Sequence, residues 1–207
     1  GILFEAAMDL MEAAIPEPTA AQVEQALLVA QQHLLQMGLT GLHDFDRRRC
    51  FAALQQLHQQ DKLHLRVTKS IPLEDLPHAA QLGLRSGFGD DWLRIGSVKG
   101  FADGALGPHT AAMMAPFEDD AQNTGILMLD AEELFEQGRL AVDSGLSLAI
   151  HAIGDRAAHE VLQAFSQLRD YEAAQSHEGG VRLRHRIEHV QLIHPAHQAR
   201  LGELGII

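Results

Sequence analysis

Lys99, His151 and His189 are the residues of this chain whose types and positions could do chemistry together. Each stands near the C-terminal end of a strand-like run: "RIGSVKGFA" (94–102), "LSLAIH" (146–151) and "RLRHRIEHV" (182–190). A lysine and two histidines so placed are costly to bury without a common purpose. A metal ion supplies one, because neutral imidazole is a good ligand for zinc, iron, nickel or manganese. Lysine is different: with a reference pKa of about 10.4 it is protonated near neutrality. It can ligate only after carbon dioxide caps the amine as a carbamate, which could bridge two metals. The same lysine could instead be a Schiff-base nucleophile on a barrel strand. Asp103 and His185 are the candidate substrate contacts. Asp103 lies just beyond Lys99 and could bind a substrate amine or brace the site. His185 shares a strand face with His189, four residues deeper, and also reads as core.

The elements that must position these residues alternate along the chain. "TAAQVEQALLVAQQHLLQM" opens with Thr19 and Gln22 at capping-box spacing and stops before Gly38. Val23, Leu27, Ala30, Leu34 and Met37 fall on one helical face. The pattern then predicts a strand over 39–45, a helix to about residue 60 and a strand over 63–69. A helix follows near 73–85, interrupted by Pro77, and then the strand 94–102. A long Gly- and Pro-bearing segment reaches Gly125. Asp130 and Glu133 repeat the capping-box spacing before a helix that ends near Ser144. The strand 146–151 leads into a helix over 155–168, with Asp155 as its N-cap or, alternatively, a substrate contact. Within it Val161, Leu162, Phe165 and Leu168 form a core stripe. The last full strand is 182–190, followed by a helix from Pro195 and a strand starting at 205.

Strands separated by helices specify a parallel sheet covered on both faces. No GxGxxG or GxxxxGK[ST] follows any strand, which removes the best support for a nucleotide-binding open sheet. Candidate residues at the C-terminal ends of several strands favour a (β/α)₈ barrel. In the strand 146–151, Leu146, Leu148 and Ile150 would meet the helices while Ser147, Ala149 and His151 point inward; Lys99 would share that interior. The strand 182–190 is less tidy. Leu183, His185, Ile187 and His189 share one face, which leaves Arg184, Arg186 and Glu188 on the other.

Composition narrows the function classes. The net charge of −12 argues against a nucleic-acid partner. No run approaches the ~20 apolar residues of a membrane span. Cys50 is the only cysteine, so no internal disulfide can form, and with no leader pattern at the start the reading is cytoplasmic. His33, His58, His159, His177 and His197 sit in polar contexts and read as surface. The chain begins at Gly1 within a helix-like run and ends in "LGELGII", so it reads as an internal piece of a longer protein.

The motifs "VKGFADGALG" (98–107), "AIHAIGDRA" (149–157) and "RHRIEHVQ" (184–191), with "GLTGLHDF" (38–45), resemble the YtcJ-like (amidohydrolase family 3) branch of the amidohydrolase superfamily, in order and in approximate spacing. The resemblance implies an α/β fold: a partial (β/α)₈ TIM barrel of about strands two to seven with their helices, one catalytic domain over 1–207. It implies a hydrolase acting on carbon–nitrogen bonds, amide or N-formyl, of small molecules through a metal-activated water. His151 would be the fifth-strand ligand, His189 the sixth-strand ligand and Lys99 the fourth-strand carbamate. The cofactor would be a divalent metal, zinc first, as one or two ions in the full-length enzyme. The superfamily's His-x-His pair and its strand-eight Asp are absent, so no catalytic residue lies in this stretch. Pro108-His109 also departs from the Ser-Arg pair of relatives. The expectation is therefore weak or no metal binding by these 207 residues alone, no activity, and self-association through open barrel edges. The rival readings are a Schiff-base lyase using Lys99 and a barrel-type binding module without chemistry.

Overall fold

The computed structural model describes residues 3, 5–8, 11, 14–175 and 182–207; His177 lies outside the described residues. Five strands form one sheet: β1 (Gly41–Asp44), β2 (Arg66–Pro72), β3 (Leu93–Phe101), β4 (Ser147–Ala152) and β5 (Arg186–His189). Their order in the sheet is their order in the chain. The pairs β1/β2, β3/β4 and β4/β5 are parallel. A doubly wound sheet reverses its strand order at a switch point. No reversal occurs here, so the winding is that of a barrel segment.

The chain groups into two compact units, 1–71 with 87–96 and 72–86 with 97–207, and β3 starts in the first and ends in the second. In the first unit, the helix Ala20–Gln36 opens on a complete capping box. Thr19 Oγ1 accepts the Gln22 N–H, and Gln22 Oε1 accepts the Thr19 N–H. Leu27 and Leu34 pack on a core of Leu54, Leu57, Leu63, Leu65 and Val67, as the periodicity predicts, whereas Met37 is exposed. Gln31 is the buried member of that helix. Its amide donates to the Lys62 carbonyl and accepts the His64 N–H, which fixes the turn before β2.

The second unit is built on two long helices, Ala131–Asp143 and Asp155–Gln175. The second outlasts its predicted end by seven residues. Val161, Leu162, Phe165 and Leu168 lie fully buried with Leu134, Leu146, Leu148 and Ile150. A Cβ at Gly138 would stand 2.5 Å from Leu168 Cδ1, so glycine lets the two helices approach closely. Pro77 does not interrupt a helix: it sits in the first turn of Leu76–Gln81, where a missing N–H costs nothing. The predicted strand 182–190 shortens to Arg186–His189. At 205 no strand forms, but Ile207 accepts the Ile187 N–H and donates to the His185 carbonyl, the parallel pattern of a next strand.

Register explains the charged face of β5. Ala149 pairs with Arg186 and His151 with Glu188, so both charges share the face of Ala149, His151 and Lys99. Arg186 Nε donates to Glu188 Oε1 at 2.8 Å. On the opposite face Ile187 is buried, and His185 stacks on Phe165 at 5.2 Å between ring centroids.

Candidate metal centre

Lys99 is the seventh residue of β3, and burial leaves its side chain 6% exposed. Its Nζ donates to the Gly100 carbonyl at 2.8 Å and lies 3.6 Å from the centre of the Phe101 ring. Burial pushes the amine down to about 8, against the opposing pull of the Glu188 carboxylate. Roughly one molecule in ten then carries a neutral Lys99 at pH 7. That is the form that reacts with carbon dioxide or a carbonyl.

His151 stands beside it on β4. Its Nε2 is 2.7 Å from the Gly104 carbonyl and 3.5 Å from Asp103 Oδ1. A carbonyl can only accept, so Nε2 carries the proton and Nδ1 keeps its lone pair. Burial holds the ring's pKa below the usual histidine value; the Gly104 carbonyl opposes this, and the Lys99 charge reinforces it. The imidazole is therefore neutral at pH 7, the state that ligates.

His189 reaches the same place by a different route. Its register with Ala152 would send the side chain to the helix-covered face. Instead, His189 and Val190 adopt φ of 77° and 47°, the left-handed region, and the His189 ring lies 4.7 Å from that of His151 at 75°. Such a conformation costs a non-glycine residue about 1–3 kcal/mol, and β-branched Val190 bears it least well. Backbone bonds from Val190 N–H to the Ala152 and Glu188 carbonyls hold the turn. Lys99, Asp103 and His189 all act electrostatically on His151, so the three candidate residues converge on one neighbourhood. Two imidazoles, one with a fixed tautomer, offer nitrogen donors, and Lys99 would add an oxygen donor once its depressed amine is capped as a carbamate, a mixed set that suits a divalent ion.

Asp103 is 1% exposed, and its carboxylate is used by the backbone. Oδ2 accepts the N–H groups of Ala112 and Gly154, and Oδ1 accepts that of Ile153. It thereby staples the segment after β3 to the turn after β4. At that junction a Cβ on Gly154 would lie 1.9 Å from the Ala112 carbonyl oxygen. In this structure the Asp103 carboxylate ties these two backbone segments together. Asp155 adds a further tie, Oδ1 accepting the Met114 N–H at 2.8 Å.

His185, the other expected substrate contact and also readable as core, lies in the core of the second unit. It is 0% exposed, Nδ1 accepts the Leu148 N–H, and Nε2 donates to Glu172 Oε1. No nitrogen is left for a substrate. Burial lowers its pKa despite the Glu172 carboxylate, and the charges of Arg169 and Arg182 reinforce the shift. The sign of the linkage follows. Below about pH 6.5 the unfolded chain takes up a proton that folded His185 refuses, so stability is complete above that pH and falls as pH drops toward the folded value. Urea titrations at pH 5 to 7.5 should show this loss, at most about 1.4 kcal/mol per pH unit, and His185→Gln should flatten it. An unchanged pH slope in that variant would remove His185 as the cause.

Arg186 and Glu188 were missed as members of the Lys99 face, although three charges in one short strand were a signal that this face is not covered by a helix. A second polar cluster, in the first unit, was missed entirely. Asp44 Oδ2 accepts from Lys69 Nζ at 2.7 Å, Lys69 also bonds the Asp46 carbonyl, and Cys50 Sγ lies 3.6 Å from Asp44 Oδ1. Among the described residues, Asp44, Asp46 and Cys50 are the one carboxylate, thiol or imidazole trio close enough for an ion. The chemistry does not suit one. Lys69, 3% exposed, already neutralises Asp44, and burial with the two carboxylates pushes the Cys50 thiol up to about 12. No helix among the described residues is long and apolar enough to cross a membrane.

Comparison with known proteins follows the same lines. The family model described as "Amidohydrolase family" matches residues 1–207. The chain is 30% identical to Protein LONG AFTER FAR-RED 3 of Arabidopsis thaliana, covering all of this chain (100%) and 36% of that protein. It is 33% identical to Putative amidohydrolase YtcJ of Bacillus subtilis, over 81% of this chain and 32% of that protein. The chain thus spans about a third of the length of the curated relatives it matches. Among solved structures, an uncharacterized metal-dependent hydrolase from Pyrococcus furiosus superposes with a TM-score of 0.82 at 30% identity, over 98% of this chain and 41% of that one. Its counterpart from Pyrococcus horikoshii gives 0.83 at 29%, over 98% and 40%. The fold is that of a partial (β/α)₈ barrel.

Proposed function

This chain belongs to the amidohydrolase family, and from that premise we propose that it is part of the catalytic barrel of a metal-dependent hydrolase cleaving carbon–nitrogen bonds of small amides or N-formyl compounds. The observation that carries the proposal is the convergence of Lys99, His151 and His189 from three successive strands, with strained backbone spent to bring His189 in. Lys99, as a carbamate, and the two imidazoles would hold the ion. The chemistry gained on binding a divalent ion there is polarisation of the scissile carbonyl and a water of lowered pKa.

The chain's own residues do the positioning. The Gly104 carbonyl holds the Nε2 proton of His151 and so presents Nδ1 to the ion. Asp103 keeps Ala112 and the 153–154 turn in place, and its Oδ1 lies 3.5 Å from His151 Nε2. Phe101, half exposed and 5.2 Å from the His151 ring, walls the site and covers the Lys99 amine. Segment 103–129 forms part of the substrate wall. The His-x-His pair and the proton-shuttling Asp would come from the rest of the protein, so these 207 residues alone are inactive, bind zinc weakly and self-associate through exposed sheet edges, first of all the outer edge of β1. The free Cys50 fits a reducing, cytoplasmic setting.

A full-length preparation tested on amides, formamides and lactams should hydrolyse at least one class, lose activity to chelator and regain it with zinc. Absence of any metal-dependent turnover on that panel would overturn the reading. The Lys99 amine at about 8 gives one rival a specific footing, since a Schiff-base enzyme needs such a lysine. Borohydride with a carbonyl substrate would then trap an adduct on Lys99; the hydrolase gives none.

A further inference from the structure

We propose that His159 and His197 form a divalent-metal site of their own, taking a transition ion such as zinc, nickel or copper and tying the segment after β5 to the helix Asp155–Gln175. His159 Nδ1 lies 2.9 Å from His197 Nε2, with ring centroids 4.8 Å apart. Two nitrogens bound to one ion at about 2.0–2.1 Å stand about 2.9–3.4 Å apart for angles between 90° and 109°. The pair is therefore already at ligand spacing, and exchanging the shared proton for an ion requires each ring to turn its lone pair by about 35–45° off the N···N line.

The two residues come from elements 38 positions apart: the long helix and the 3-10 turn Pro195–His197. Both are partly exposed, so an ion and its remaining waters have access. His197 titrates below the usual histidine range, through desolvation and then the charges of His159, Arg200 and His194, which favours the ligating form. His194 stands at the rim, its ring 5.7 Å from that of His197 and its Nδ1 already accepting the Ala196 N–H. Arg200, which donates to the Leu162 carbonyl, bears a positive charge on the site. Affinity must then come from nitrogen coordination rather than field attraction, which selects transition ions over magnesium or calcium. The pair lies in the second unit, and its ion would brace the chain that leaves His189.

The test uses full-length protein stripped with chelator and titrated with zinc and nickel, read by metal stoichiometry and by thermal unfolding. His159→Gln and His197→Gln should each bind one ion fewer than wild type, while His151→Asn keeps that ion. Zinc a hundredfold above its dissociation constant should raise the wild-type midpoint by about 2 °C more than that of His197→Gln in a protein about three times the length of this chain. Zinc should also slow tryptic cleavage after Arg200 in wild type only. Equal stoichiometry and equal midpoint shifts in wild type and His197→Gln would overturn the proposal and leave a hydrogen-bonded pair only. Failure of the hydrolase reading would not alter these readouts, because none depends on turnover.

Discussion

Replacing Asp103 with alanine is expected to lower the unfolding midpoint of this chain by roughly 6–12 °C. The carboxylate satisfies three buried backbone N–H groups, those of Ala112, Ile153 and Gly154. Each donor left without a partner costs about 1–3 kcal/mol, and because the three are neighbours the sum is not simply additive. A total near 3 kcal/mol is the conservative expectation, and at this size each kcal/mol moves the midpoint by about 2–4 °C. Asp103→Asn should do almost as badly. Its amide is isosteric, but the NH₂ turns a donor toward the N–H groups it was meant to receive. If Asp103 served chiefly to bind a substrate amine, Asp103→Asn would leave the midpoint within about 1 °C and raise KM alone, an outcome that would refute the staple. Thermal scans of both variants settle which task dominates.

Much of this arrangement was legible before any coordinates. The alternation of helix and strand, the capping boxes at Thr19 and Asp130, and the stripe Val161–Leu168 are local patterns, and local patterns survive folding. Lys99 and His151 were readable because period-two alternation holds through β3 and β4. His189 was read at the right strand end, but nothing local announces that its backbone turns left-handed, and without that turn alternation points it away from His151. Asp103 and His185 look alike in sequence, each a polar residue near a motif. What the structure adds is their burial and their partners 9 to 51 positions away, set by packing. The Lys69–Asp44 pair, 25 residues apart, was invisible for the same reason.

The other large effect concerns His151 itself. In the full-length protein His151→Gln is expected to lose bound metal and to reduce kcat/KM by more than the roughly 10–100-fold that removal of a ligand's outer partner costs. That yardstick is available within the same protein. Asp103→Asn, if it folds at low temperature, leaves the ligands themselves in place while it loosens the 153–154 turn and the carboxylate beside His151, and should fall inside the 10–100-fold range. Lys99→Met completes the comparison. If Lys99 ligates as a carbamate, the variant loses metal along with activity, and added bicarbonate, which assists the wild type, does nothing for it. If Lys99 is instead a Schiff-base nucleophile, the variant loses all activity at unchanged metal content, while His151→Gln still yields a borohydride adduct. Metal analysis beside kinetics on these three variants therefore separates the two chemistries. Full activity in His151→Gln with metal still bound would end the case for His151 as a ligand, and with it the proposed centre.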